Sequence, residues 1–143
     1  MKKNANCLCS LGFGLVVTIA VPASSQSKQT ISTLPNGNYF YSTSRNPYQS
    51  GAEYLIFRKT GNTITGMKYP VPGETTCFSG RSRSSGITNV IIYLQPLGTG
   101  AGEFRRRNPI NLNSYYRIRY DSAPNFAKTG RDRCLRVFSN YRQ

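Results

Sequence analysis

The chain has no histidine and no tryptophan, and only five of its 143 residues are acidic. Each absence closes a class of chemistry. Without histidine the Ser-His-Asp and Cys-His nucleophile systems cannot be assembled. The most common general base and metal ligand near neutral pH is missing with it. The five acids are Glu53, Glu74, Glu103, Asp121 and Asp132. A glycosidase needs two carboxyl groups facing each other across a cleft, and none of these five lies in a recognisable motif. Glu53 reads as a surface charge beside Arg58, and Asp121 as a turn residue before Ser122, Ala123 and Pro124. Gly98, Gly100 and Gly102 have no Gly-Lys-Ser/Thr and no helix after them, so they form neither a phosphate loop nor a dinucleotide fingerprint. With these parts missing, no enzyme, no cofactor and no metal site are expected.

Long apolar runs are also lacking, with one exception at the amino end. Lys2 and Lys3 precede an apolar stretch over residues 8–21, followed by the small-residue segment Val21, Pro22, Ala23, Ser24, Ser25. This is the layout of a secretory signal peptide. The stretch is shorter than the roughly 20 residues of a membrane span. The expected organisation is a signal peptide over 1–25, a polar, flexible leader over 26–33, and one β-rich domain over 34–143. The chain is therefore expected to be exported, to the periplasm or beyond it, with no transmembrane segment after cleavage.

Cysteine is scarce in the expected mature part. Cys7 and Cys9 leave with the signal, so Cys77 and Cys134 remain. In an oxidising compartment a lone pair is most simply one disulfide. Two thiolates without histidine cannot fill a tetrahedral metal site.

What the chain has in excess is arginine. Of 19 basic residues, 13 are Arg, and the formal net charge is +14. Arginine forks carboxylate, phosphate and sulfate groups and stacks on aromatic rings. A charge surplus of this size favours anionic partners, although it also serves solubility alone.

Turn residues divide the domain into short strands. Leu34, Pro35, Asn36 and Gly37 signal a turn before a strand over 38–42. Residues 53–58 alternate, with Leu55 and Phe57 on one face and Tyr54, Ile56 and Arg58 on the other. Thr60, Gly61 and Asn62 then turn the chain into a return strand over 63–69, completing a hairpin. Gly66 within that strand marks a bulge or a close backbone approach. A strand over 75–80 follows a proline-rich connector. Residues 81–86 read as a Ser/Arg loop, and 87–94 as a central strand, apolar on both faces. The glycine-rich segment 97–102 reads as a mobile loop. Residues 115–120 alternate as a strand, and 121–130 read as a turn-rich loop. The tail from Cys134 to Tyr141 fits a strand through Leu135 and Val137, or a short helix through Leu135, Phe138 and Tyr141, with Asp132 as N-cap. The strand pattern is slightly the stronger. The fold expected is all-β: a small antiparallel meander or barrel of about six to seven strands, with one disulfide and room for a short carboxyl-terminal helix.

The opening Leu34 to Tyr39, the hairpin over 54–66 and the segment Cys77, Phe78, Ser79, Gly80 resemble small exported β-rich proteins of the cyanobacterial type. The resemblance covers residues 34–94. It implies no activity, because that group has none assigned to carry over.

Three places carry candidate anion-binding residues. Arg105, Arg106 and Arg107 follow the glycine loop. Arg117 and Arg119 alternate with Tyr116 and Tyr120, whose rings are candidates for aromatic contacts. Arg81 and Arg83 stand among serines. Arg105, Arg106, Arg107, Arg117 and Arg119 are expected to form part of one positive patch, because the triplet leads by a short connection into the strand that carries the other two. Basic groups beside rings suit a polyanion, although tyrosine faces also serve as core. Nucleic acid is scarce outside the cytoplasm, so acidic polysaccharide, peptidoglycan and lipid headgroups are the expected partners. The leading reading is a non-catalytic module that binds anionic envelope or extracellular material. Two others stand beside it: a small β-barrel carrier of one small molecule, and a purely structural envelope protein.

Overall fold

A computed structural model describes residues 30–96, 98 and 100–141. The expected signal peptide and half of the leader, residues 26–29, lie outside the described residues, as do Leu97 and Thr99 of the glycine loop. Within the described part, eight strands precede a single α-helix. They are β1 (Gly37–Ser42), β2 (Glu53–Thr60), β3 (Thr63–Pro70), β4 (Thr76–Arg83), β5 (Gly86–Leu94), β6 (Glu103–Arg107), β7 (Ile110–Asn111) and β8 (Tyr116–Ile118). The helix, α1, runs over Asn125–Ser139.

The strands form one antiparallel sheet in the order β6-β5-β4-β3-β2-β1-β8, with β7 also paired to β5. From β1 to β6 each strand pairs with the next, as hairpin turns dictate for short strands. The chain then crosses to the far end of the path, where β8 pairs with β1. The sheet is a meander and is not closed into a barrel. The strands beyond the expected six or seven are short pieces of two and three residues, β7 and β8.

Alternation divides the side chains into two cores, one on each face. Tyr39, Tyr41, Leu55, Phe57, Ile64 and Phe78 pack on one face. Phe40, Tyr54, Ile56, Met67, Tyr69 and Cys77 pack on the other. Each buried Leu, Ile or Phe contributes roughly 1.5–3 kcal/mol by leaving water. In β3, Gly66 forms no bulge: the Ile56 carbonyl oxygen and the Phe57 Cα lie where a Cβ would stand. The sheet's irregularity falls between β4 and β5, where the register shifts between Ser79 and Arg81. Opposite it, Asn89 adopts φ 50°, a left-handed conformation that asparagine tolerates better than most residues.

The carboxyl-terminal part departs from expectation. The segment 121–130 is not a loop, and the tail is not a strand. A 3-10 turn over Tyr120–Ser122 leads into α1, which starts after Pro124 rather than at Asp132. Ala127 and Cys134 of α1 are fully buried against the face carrying Met67 and Tyr69. The β8 strand already fills the edge beside β1, and the stripe of α1 instead covers the face of β3 with its neighbours β2 and β4. Cys77 in β4 and Cys134 in α1 form the disulfide, with Cα atoms 5.1 Å apart. The opposite face is covered differently. Ile31, at the head of a 3-10 turn over Ile31–Thr33, is buried there with Leu34 and Leu112. The leader residues 30–33 are thus packed into the domain. No described helix is long and apolar enough to cross a membrane.

Candidate functional site

Four of the five acids are held in ion pairs. Lys68 Nζ lies 2.8 Å from Glu53, and Tyr115 donates its hydroxyl to the same carboxylate. Glu53 therefore faces Lys68 and Tyr115, not Arg58 as expected from its strand position. Glu103 is 2.8 Å from Arg105, and that hydrogen bond holds its carboxyl below the usual carboxylate range. Asp121 stands 3.7 Å from Arg119, both exposed. Asp132 accepts from Arg131 at 2.6 Å. Arg131 is buried, and its guanidinium also donates to the Tyr120 hydroxyl at 2.5 Å. Among the described residues, Glu74 takes part in no ion pair. Arg81, Arg83, Arg106, Arg107 and Arg117 likewise meet no described carboxylate.

The sequence candidates do not fall on neighbouring strands. Arg105, Arg106 and Arg107 lie in β6 and Arg117 in β8, at opposite ends of the strand order. The triplet is a strand and not a solvated loop, because it pairs with residues 90–92 of β5. Strand alternation splits it: Arg105 and Arg107 sit across from Ile92 and Val90, and Arg106 across from Ile91. Arg81 and Arg83 also lie in a strand, since β4 continues to Arg83 before the turn at Ser84 and Ser85. Arg119 and Arg105 have acidic partners of their own. The two candidate rings are covered by the chain's own cations. The Arg45 guanidinium lies 4.6 Å from the Tyr116 ring centre, and that of Arg131 lies 5.3 Å from the Tyr120 ring.

What the fold does assemble is a groove beneath the carboxyl-terminal end of α1. Its floor is the helix-side face of β3 and β4, where Thr65 and Ser79 share a hydrogen bond of 2.9 Å. Thr63 sits beside this pair, and Arg81 pairs with Thr63 in the ladder. The wall is Phe138, Ser139 and Tyr141. The volume is about 360 Å³, within the range of small-ligand sites. Asn89 lines this groove and also a neighbouring hollow that holds Arg106 and Arg107. Asn89 holds this sparsely populated conformation in the middle of β5, between two hollows, and strain of that kind gathers at sites.

Sequence reasoning placed Arg81 and Arg106 in separate groups. It missed the hydroxyls of Thr63, Thr65 and Ser79 and the position of Asn89. Only the spacing of Thr63 and Thr65, on one face of a strand, signalled the hydroxyl row. Comparison with family models, with curated proteins and with solved structures returns no match.

Proposed function

We propose that this is a non-catalytic exported domain that binds acidic polysaccharide of the envelope or extracellular material through the groove under the end of α1. The observation that carries the reading is the use of charge. The acids are few and four of the five are committed to internal partners, while Arg81 borders the floor of hydroxyl groups and Arg106 the adjoining hollow, neither with a described carboxylate to satisfy it. Neutral hydroxyls match a sugar's hydroxyls, and a guanidinium fork matches its carboxylate or sulfate. Ring faces at the wall suit the C–H faces of a pyranose. The lack of a second free carboxyl near Glu74 argues against glycoside hydrolysis. The amino-terminal pattern and the resemblance of residues 34–94 favour export, where such polymers are abundant.

The test is a titration with alginate, compared with neutral dextran and with phosphatidylglycerol vesicles. Alginate should bind, dextran should not, and affinity should fall between low salt and 0.1 M salt, where exposed charges are screened beyond about 10 Å. Changing Arg81 and Arg106 together to serine should lower alginate affinity by about tenfold. Stability should stay within about 0.5 kcal/mol, as for ordinary surface changes. Preference for vesicles over alginate would transfer the role to headgroup binding. No binding to either at low salt would leave the structural reading in its place.

A further inference from the structure

The face of the sheet opposite α1 holds a separate and larger cavity, of about 570 Å³. Its floor is apolar: Phe78 from β4 with Val90 and Ile92 from β5. Ile110 closes one side as the chain crosses from the β6 edge toward β8. Phe78 and Val90 are buried, whereas Ile92 and Ile110 are half-buried at the margin of the core. The volume lies within the roughly 300–1,000 Å³ of small-molecule sites.

The charges around this floor are unequal. At one end Lys68 is paired with Glu53 at 2.8 Å, and Glu53 also accepts the Tyr115 hydroxyl. Burial, and then the bond to Glu53, push the Tyr115 phenol upward, so it stays a neutral donor near pH 7. That end is a closed, neutral unit. Arg105 shares the face of Arg107 but is held by Glu103. Arg107 is the remaining cation of the lining, and no described carboxylate pairs with it. The lining thus presents an apolar floor, a rim of uncharged polar groups from Thr76, Asn108, Asn111 and Ser114, and one uncompensated positive charge. A cationic ligand finds no free acid there, and an uncharged apolar one would leave the guanidinium without an anion.

We propose that this cavity binds a small amphipathic monoanion, a ligand with an aromatic or aliphatic body and one carboxylate or sulfonate. The body lies on Phe78, Val90 and Ile92, and the anionic group meets Arg107. The floor of this site lies on the sheet face opposite the α1 groove; Arg107 also lines the hollow beside that groove, so alginate binding by Arg107→Ser distinguishes the two.

The probes are the fluorescent dye anilinonaphthalene sulfonate and its uncharged relative N-phenylnaphthylamine, titrated into the purified protein. The wild type should bind one equivalent of the sulfonate with a blue shift. Arg107→Ser should weaken the sulfonate about tenfold, the loss expected for one charge-assisted contact, and leave the uncharged dye within about twofold. Arg107→Lys should recover part of the loss. Ile92→Trp should fill the cavity and weaken both dyes. Arg133→Ser, on the exposed side of α1, removes the same charge far from the floor and should change neither. Near-ultraviolet circular dichroism of every variant checks that the fold is retained. If Ile92→Trp does not fold, the contrast between the two dyes in Arg107→Ser decides alone. Equal sulfonate affinity in wild type and Arg107→Ser, or several equivalents bound with no effect of Arg107, would overturn the proposal. A decisive loss there with normal alginate binding would separate this site from the groove.

Discussion

The two faces of the sheet are closed by different means. On the helix face the lid is a regular element joined to the sheet by a covalent bond between Cys77 and Cys134. Beneath it Phe40, Tyr54 and Tyr69 stack in sequence, and Phe126 meets Tyr69 edge-on. On the opposite face the lid is irregular chain: the 3-10 turn at Ile31–Thr33, Leu34, Leu112 and Tyr115. Its attachments are few. Leu112 donates to the Ser85 carbonyl at 2.9 Å, β7 adds two ladder positions, and the Tyr39 hydroxyl donates to Pro35 at 2.6 Å. A helix satisfies its own backbone and can cover a face continuously, so space remains only at its end. A crossing loop covers by single side chains, and the gap between them is the larger cavity.

The largest effect should come from removing the covalent lid. The disulfide spans a sequence separation of 57 residues. Chain-entropy reasoning assigns a loop of that size about 4 kcal/mol of stability. Replacing both cysteines with serine should lower the urea midpoint accordingly and expose α1 amides to hydrogen exchange before those of β2 and β3. A loss under about 1 kcal/mol would mean that aromatic packing, not the bond, holds the helix face.

The irregular lid has its own weak point. At Gly86 the Ile110 carbonyl oxygen occupies the place of a Cβ. Gly86→Val should therefore push β7 away and cost about 1–3 kcal/mol, the range for overpacking. The Leu112 amide should exchange faster while the Cys134 amide is unaffected. If both amides respond together, the two lids form one cooperative unit and the contrast between them fails.

The same contrast explains which parts were legible in the sequence. The β2–β3 hairpin was, because alternation and a Thr-Gly-Asn turn are local signals, and Gly61 indeed takes φ 58°. The Cys77–Cys134 pair was legible by scarcity alone. The helix was not. Its buried stripe runs Ala127, Arg131, Cys134, and an arginine in the middle conceals an apolar face. That arginine is tolerable only because Asp132 and Tyr120 accept its hydrogen bonds, a tertiary fact. Gly130 and Val137 further lower the local preference for helix. Nor could the groove be read. Arg81 lines the groove and Arg106 the hollow beside it, joined through Asn89, only because of strand order and the register shift in β4 and β5. In sequence they belong to a serine-rich segment and to a basic run.

The smallest expected effects are at single tyrosine hydroxyls, where the two faces can be compared atom for atom. On the helix face the Tyr69 hydroxyl is buried and has no hydrogen-bond partner among the described residues. Burial first, then the neighbouring Tyr54 and Tyr48, push its phenol upward. On the opposite face Tyr115 is pushed up by burial and by its bond to Glu53. Both groups therefore hold their protons in the folded state at a pH where the unfolded chain releases them, from about pH 10. Their contribution is complete below that value and is lost as pH rises above it. The urea midpoint should accordingly fall on the alkaline side, and each Tyr→Phe change should flatten the fall. At pH 7 the two changes should differ. Tyr69→Phe removes an unsatisfied hydroxyl and should be neutral or slightly stabilising, because a buried donor without a partner costs about 1–3 kcal/mol. Tyr115→Phe takes away a donor from Glu53 and should be destabilising. Equal destabilisation at pH 7 by both would show that the Tyr69 hydroxyl has a partner after all, and that the stacked rings of the helix face are sealed no less completely by hydrogen bonds than the end wall of the opposite cavity.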